Sequence, residues 1–139
     1  MDKWLNGCMV KWLVMGKIFL RLNDVQPYKT AFNLSNYVWN IVVKWDYLAK
    51  DTVGKQFVKA VDSISANIAE GFGRYFKKDK INFYRYSSGS VKESFDWKEK
   101  AKIRNLINEN EYQPIFAELQ KLPKEINQLV KITNSKLAK

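Results

Sequence analysis

The sequence contains no histidine and a single cysteine, Cys8. Those two shortages exclude zinc fingers, Cys/His nucleophile pairs, Ser-His-Asp triads and Glu-x-x-His di-iron sites together. No disulfide can form within the chain, which suits a reducing, cytoplasmic setting. Within residues 1–22 the longest uncharged run is Trp4 to Val10, because Lys3, Lys11, Lys17 and Arg21 interrupt the apolar residues. A spanning helix needs roughly 18 apolar residues, so no membrane span is expected there. Nor is there an uninterrupted h-region with a small-residue cleavage site, which argues against a signal peptide. Gly-rich linkers, repeats and low-complexity tracts are also missing.

What is present is a chain of 139 residues, 46% hydrophobic and 14% aromatic. That length supports one domain with a real core. The formal charge is +10, which favours anionic partners, nucleic acid before an anionic membrane surface. Residues 1–22 are set apart as an N-terminal extension or a misassigned start. The extension could be amphipathic, translation could begin near Met9 or Met15, or the alternation of Ile18, Leu20 and Leu22 could mark a short strand.

Residues 23–139 read as an all-α, antiparallel, up-down four-helix bundle. Tyr28, Ala31, Phe32, Leu34, Ser35, Val38, Trp39, Ile41 and Val42 give a broad apolar face to a first helix over Pro27 to Trp45. Asp46 to Asp51 reads as a loop, with Asp51 or Thr52 capping a second helix. Val53, Phe57, Ala60, Val61, Ile64 and Ile68 line that helix, and Gly71 and Gly73 are placed to stop it by positive φ. Ser63, Asn67, Glu70 and Arg74 run beside this stripe as a polar seam that needs partners. The third helix is expected over Lys80 to Leu106, capped by Asp79. Its inward line reads Phe83, Ser87, Ser90, Ser94, Trp97 and Ala101, whose small middle lets the second helix approach near Ala66 and Asn67. Tyr84, Val91 and Phe95 then lie under the fourth helix or form an assembly surface. Asn108 and Glu111 have capping-box spacing, and Tyr112, Ile115, Leu119, Leu122, Ile126 and Leu129 form the fourth helix's stripe. Pro114 falls in or near its first turn, and interior Pro123 predicts a kink.

The stretch Ser63-Ile-Ser-Ala-Asn-Ile-Ala-Glu-Gly71 resembles the signature of the bacterial four-helix-bundle family encoded in intervening sequences of large-subunit ribosomal RNA genes. Ser65 stands where that family usually has proline. Gly89-Ser90 followed by Glu93, and Trp97 to Ile107 running into Glu111-Tyr112, match as well, so the similarity spans residues 24–136. Relatives include the accessory variability protein of diversity-generating retroelements. The resemblance implies the bundle, closed rings of five subunits, no established enzymatic activity, and a protein partner such as a reverse transcriptase.

Two groups of residues are candidate sites. Asn67, Glu70, Ser90 and Glu93 could meet between the second and third helices. As a carboxylate pair they would suit metal or acid–base chemistry; as a hydrogen-bonded network they would fix helix register, with Arg74 or Lys92 neutralising charge. Without histidine or further acidic residues at ligand spacing the structural version is preferred, and no metal, cofactor or catalysis is expected. Gly71-Phe72-Gly73 follows a helix and lacks the Gly-Lys-Ser/Thr ending, so it is no phosphate loop. The second group lies in residues 74–104, which hold ten basic and four acidic residues, more than half the net charge. Arg74, Lys77, Lys78, Lys80 and Arg85 are the first candidates for phosphate contact with RNA or DNA, with Tyr75, Phe76, Tyr84 and Tyr86 interleaved for stacking.

Overall fold

The computed structural model describes residues 14–15, 18–19 and 21–136. Most of the N-terminal segment, with its possible alternative starts, lies outside the described residues. Val14–Met15 (β1) pairs antiparallel with Ile18–Phe19 (β2), so Ile18 does sit in a short strand. Leu22 instead enters a 3-10 turn, Leu22–Asp24.

Four helices follow: α1 (Gln26–Val42), α2 (Lys55–Gly73), α3 (Lys77–Ile103) and α4 (Glu109–Lys136). Each packs on the next, and α1 also packs on α4, closing an up-down bundle. The short links force antiparallel neighbours.

α1 carries Pro27 in its first turn, where the missing N–H costs nothing. Its buried face is narrower than expected: Ala31, Leu34, Val38, Ile41 and Val42 are inside, while Phe32 and Trp39 stand about half exposed. The loop expected over Asp46–Asp51 is largely helical. Asp46, not Asp51 or Thr52, is the cap, its carboxylate accepting from the Ala49 amide at 3.3 Å. The turn Tyr47–Ala49 leads through a π-helical stretch, Lys50–Gly54, straight into α2. At Gly54 a Cβ would lie 2.7 Å from Val42 Cγ1, so glycine lets this segment pass α1.

The end of α2 also differs from expectation. Gly71 lies within the helix, and its lack of a side chain serves packing: a Cβ there would meet Tyr84 Cε1 at 2.8 Å and the Lys80 carbonyl oxygen at 2.9 Å. The helix runs on to Gly73 and stops because Arg74 turns extended (φ −75°, ψ 152°).

α3 starts three residues earlier than expected. Phe76 is its N-cap residue and Asp79 lies inside the first turn. It ends at Ile103 because Asn105 is left-handed (φ 59°). The Leu106 amide donates to Ala101 O at 2.8 Å and the Asn105 amide to Lys102 O at 3.0 Å, a Schellman closure. The inward line is Lys80, Tyr84, Ser87, Val91, Ser94, Lys98 and Ala101. Ser87, Ser94 and Ala101 are therefore core as expected, but Phe83, Ser90 and Trp97 only flank it. Ser87 Oγ donates to Ile64 O on α2 at 2.8 Å, a buried bond that needs the two backbones close. α2 thus meets the serines through Ile64; Ala66 is exposed.

The Asn108/Glu111 capping box forms, with bonds of 3.0 and 2.9 Å in the two directions. All six residues of the α4 stripe are buried, and Thr133 extends it. α4 runs as one helix through Pro114 and Pro123. Tyr84 and Val91 are buried, and Phe95 meets Phe116 of α4 edge-to-face at 6.2 Å. Between α3 and α4 the buried Lys98 ammonium lies 4.4 to 5.0 Å from the Phe95, Tyr112 and Phe116 ring centres. Lys98 also donates to Glu99 at 2.6 Å and to Tyr112 Oη at 3.0 Å, and Tyr112 donates to Glu99. These bonds, that from Lys98 foremost, hold Glu99 below the usual carboxylate range. A buried ammonium is tolerable because its protons and its charge are both answered here.

Candidate nucleic-acid interface

The polar residues expected to meet between α2 and α3 do not do so. Asn67 donates to Ser63 O at 2.9 Å, and Glu70 pairs with Arg74 at 2.8 Å. Ser90 accepts from Ser94 through its carbonyl, and Glu93 accepts from Trp97 Nε1 at 3.2 Å. Each partner is four residues from its own residue, with Arg74 just past the end of α2, so the seam lies along the bundle's flank instead of bridging it. Glu70 and Glu93 share no network. Among the described residues no group of three or more metal-ligating side chains converges.

The basic segment divides by environment. Lys80 is 1% exposed, so it cannot contact a phosphate on the surface. Its ammonium donates to Phe72 O at 2.7 Å, in the last turn of α2, and burial lowers its pKa from 10.5 to about 8. A cation there answers a carbonyl that has no partner further along the helix. Lys98 is equally buried. Arg74 is held by Glu70 and stacks over Phe83 at 4.6 Å, Lys100 pairs with Asp96 at 2.7 Å, and Lys102 reaches Glu109 at 3.7 Å.

Lys77, Lys78 and Arg85 remain, and they line one open cavity of about 740 Å³ with Phe76, Asn82 and Asn134. Lys78, Asn82 and Arg85 stand at steps of four and three on one face of α3. Asn134 arrives from the last turn of α4, where its carbonyl accepts from Lys77 Nζ at 3.2 Å. Among the described residues Asp79 is the one carboxylate in the lining. Among the described residues neither Lys78 nor Arg85 has a carboxylate partner. Phe76 contributes a ring 56% exposed, set edge-to-face against Tyr75 at 4.9 Å. The first-turn amides of α3 point their positive end toward the same region, and Phe76 supplies no side-chain cap. The arrangement can hold an anion and a planar group side by side.

The family whose model matches residues 23–128 is described as 23S rRNA-intervening sequence protein. The chain belongs to this family. A crystal structure of a protein of unknown function from the S23 ribosomal protein family of Bacteroides thetaiotaomicron is similar in fold, with a TM-score of 0.67 at 18% identity. The match covers 76% of this chain and 98% of that one. No curated protein matches in sequence. The matched span begins after the N-terminal segment and holds all of α1, α2 and α3, so the cavity's α3 wall lies within the family's common region, whereas Asn134 lies beyond it.

Sequence reasoning picked out Lys77, Lys78 and Arg85 but not Asn134. No local pattern joins a residue near position 134 to one near 78. The antiparallel order does, since the end of α4 and the start of α3 share one end of the bundle. Phe76 was visible only as one of several interleaved aromatics; its place at the N-cap is what sets it on the rim.

Proposed function

We propose that this protein is a non-catalytic, oligomeric nucleic-acid-binding accessory factor of the cytoplasm, which contacts RNA or DNA phosphates through Lys77, Lys78 and Arg85. The observation that carries the reading is the gathering of these three cations around one cavity whose lining, among the described residues, holds a single carboxylate. Arg74 is paired with Glu70 and does not line the cavity, while Lys80 belongs to the core. The ring of five subunits implied by the family resemblance would multiply such contacts, and repeated weak contacts add through avidity. The half-exposed Phe32 and Trp39 on α1 are apolar surface suited to that assembly.

Binding should be strongly salt-dependent and largely indifferent to sequence. An electrophoretic shift series with RNA and DNA across salt concentrations tests it, with light scattering to count subunits. Absence of any shift at low salt with either nucleic acid refutes the reading. A second reading is an interaction module that docks a protein partner, such as a reverse transcriptase. It is favoured by Tyr47 and Leu48, 79% and 73% exposed at the opposite end of the bundle. Salt-independent capture of such a partner without RNA binding selects it.

A further inference from the structure

The cavity at the start of α3 combines features that a simple phosphate-binding surface does not need. A duplex presents its phosphates outward and hides the faces of its bases in the stack, so it can use Lys78 and Arg85 but has nothing to lay on Phe76. An unpaired nucleotide offers both a phosphate and a free π-face. Phe76 is 56% exposed, and its contact with Tyr75 is edge-to-face (interplanar angle 88°), an arrangement in which the pair leaves ring face uncovered. Asn82 lies one turn beyond Lys78 along α3 in the cavity wall, and its side-chain amide has no hydrogen-bond partner among the described residues. It can both donate and accept, and so meet different base edges without fixing one. The volume, about 740 Å³, lies in the range of roughly 300–1,000 Å³ that accepts a small planar ligand.

We propose that this cavity is a site for an unpaired nucleotide of a single strand, with its base against Phe76 and its phosphate between Lys78 and Arg85. The proposal rests on the nucleic-acid reading above and adds to it a preference for single-stranded over paired substrate. The preference is for strand state, not sequence, because every base has a face to stack. Lys77 acts differently from its neighbours: its bond to Asn134 O ties the α4 end to the cavity wall.

Fluorescence anisotropy on the full chain at low salt tests this with three labelled probes: a single-stranded RNA of about 12 nucleotides, its blunt duplex, and an abasic strand of equal length. The wild-type protein should bind the single strand more tightly than the other two. Phe76→Ala should weaken single-strand binding about tenfold and leave duplex and abasic binding unchanged. Phe76→Trp should keep the single-strand preference, and the double variant Lys78→Gln/Arg85→Gln should weaken all three probes. Phe76 is exposed, so helix content by circular dichroism should match wild type in each variant. The proposal is overturned if Phe76→Ala has no effect or weakens the three probes alike while wild type still binds nucleic acid. Binding to none of the probes overturns the nucleic-acid reading as well.

Discussion

The buried ammonium of Lys80 makes a specific statement about stability against pH. In the unfolded chain this lysine holds its proton up to about 10.5, whereas burial brings its value in the folded protein to about 8. Between those two values the unfolded state binds more protons than the folded one, so stability rises as pH rises. At 1.36 kcal/mol per pH unit of difference the gain is at most about 3 kcal/mol. The bond to Phe72 O and the Phe72 ring 5.5 Å away both favour the charged form, so the measured gain should fall below that ceiling. Tyrosines act in the opposite sense higher up. Burial raises the phenols of Tyr84 and Tyr28, so the stability they contribute is complete below pH 10 and is lost as pH climbs above it. Urea denaturation at pH 7, 8, 9, 10 and 11 should therefore give a midpoint that rises toward pH 10 and then turns down. With a urea slope of about 2 kcal/mol per molar, the rise should be on the order of 1 M. Loss of protons from surface lysines also relieves repulsion in a chain of formal charge +10, so the control is Lys80→Met. That variant should be folded and should lose most of the rise between pH 8 and 10. A wild-type midpoint that is flat or falling over this interval, or a methionine variant with the same slope, refutes the reasoning.

Two glycines of α2 and α3 should respond in opposite directions. Gly71→Ala drives a Cβ to within 2.9 Å of a backbone carbonyl and 2.8 Å of Tyr84, and should cost about 1–3 kcal/mol. At Gly89 nothing lies within 4 Å of the added carbon, so Gly89→Ala should gain about 0.5–1 kcal/mol. Thermal melts of the pair decide whether α2 and α3 approach as closely as described. Lys98→Ala empties the space among Phe95, Tyr112 and Phe116 and should destabilise by about 2–4 kcal/mol, with Lys98→Met costing less because it refills the space. Equal losses for the two would mean that the ammonium, not the volume, matters. Lys78→Gln should leave the melting temperature unchanged and lower the slope of log affinity against log salt by about 0.7–0.9, the loss of one phosphate contact.

The fold was legible wherever a helix has one apolar stripe and an ordinary cap. The six α4 residues and the Asn108/Glu111 box are local patterns, and both stand in the structure. α3 was harder for a physical reason. Two heptad lines one residue apart share Ser87, Ser94 and Ala101, and the line that starts at Phe83 looks more apolar than the line that starts at Lys80. The second line is the buried one because neighbouring helices supply what its lysines need: the Phe72 carbonyl on α2 for Lys80, and Tyr112 and Phe116 on α4, with Phe95 of α3 itself, for Lys98. Such partners belong to the assembled bundle, and no spacing within one helix announces them.

The same fact changes what the basic segment means. In an antiparallel bundle the start of α3 lies beside the ends of α2 and α4, so two sets of unpartnered carbonyls converge on it. Lys80 answers one at Phe72, and Lys77 answers the other at Asn134 with one of its three ammonium protons, leaving the others for the cavity. Part of the charge that suggested a phosphate-binding surface is thus required by helix geometry, whatever the protein binds. Counting lysines along the sequence therefore overstates the available surface, and the cations to weigh are those left over. Lys78 and Arg85 point into the cavity without carboxylate partners among the described residues, and no helix end requires them. If the bundle alone dictated this cluster, Lys78→Gln and Arg85→Gln would be expected to lower the melting temperature. If the cavity serves a ligand, those two substitutions should be silent in a melt and visible only in binding.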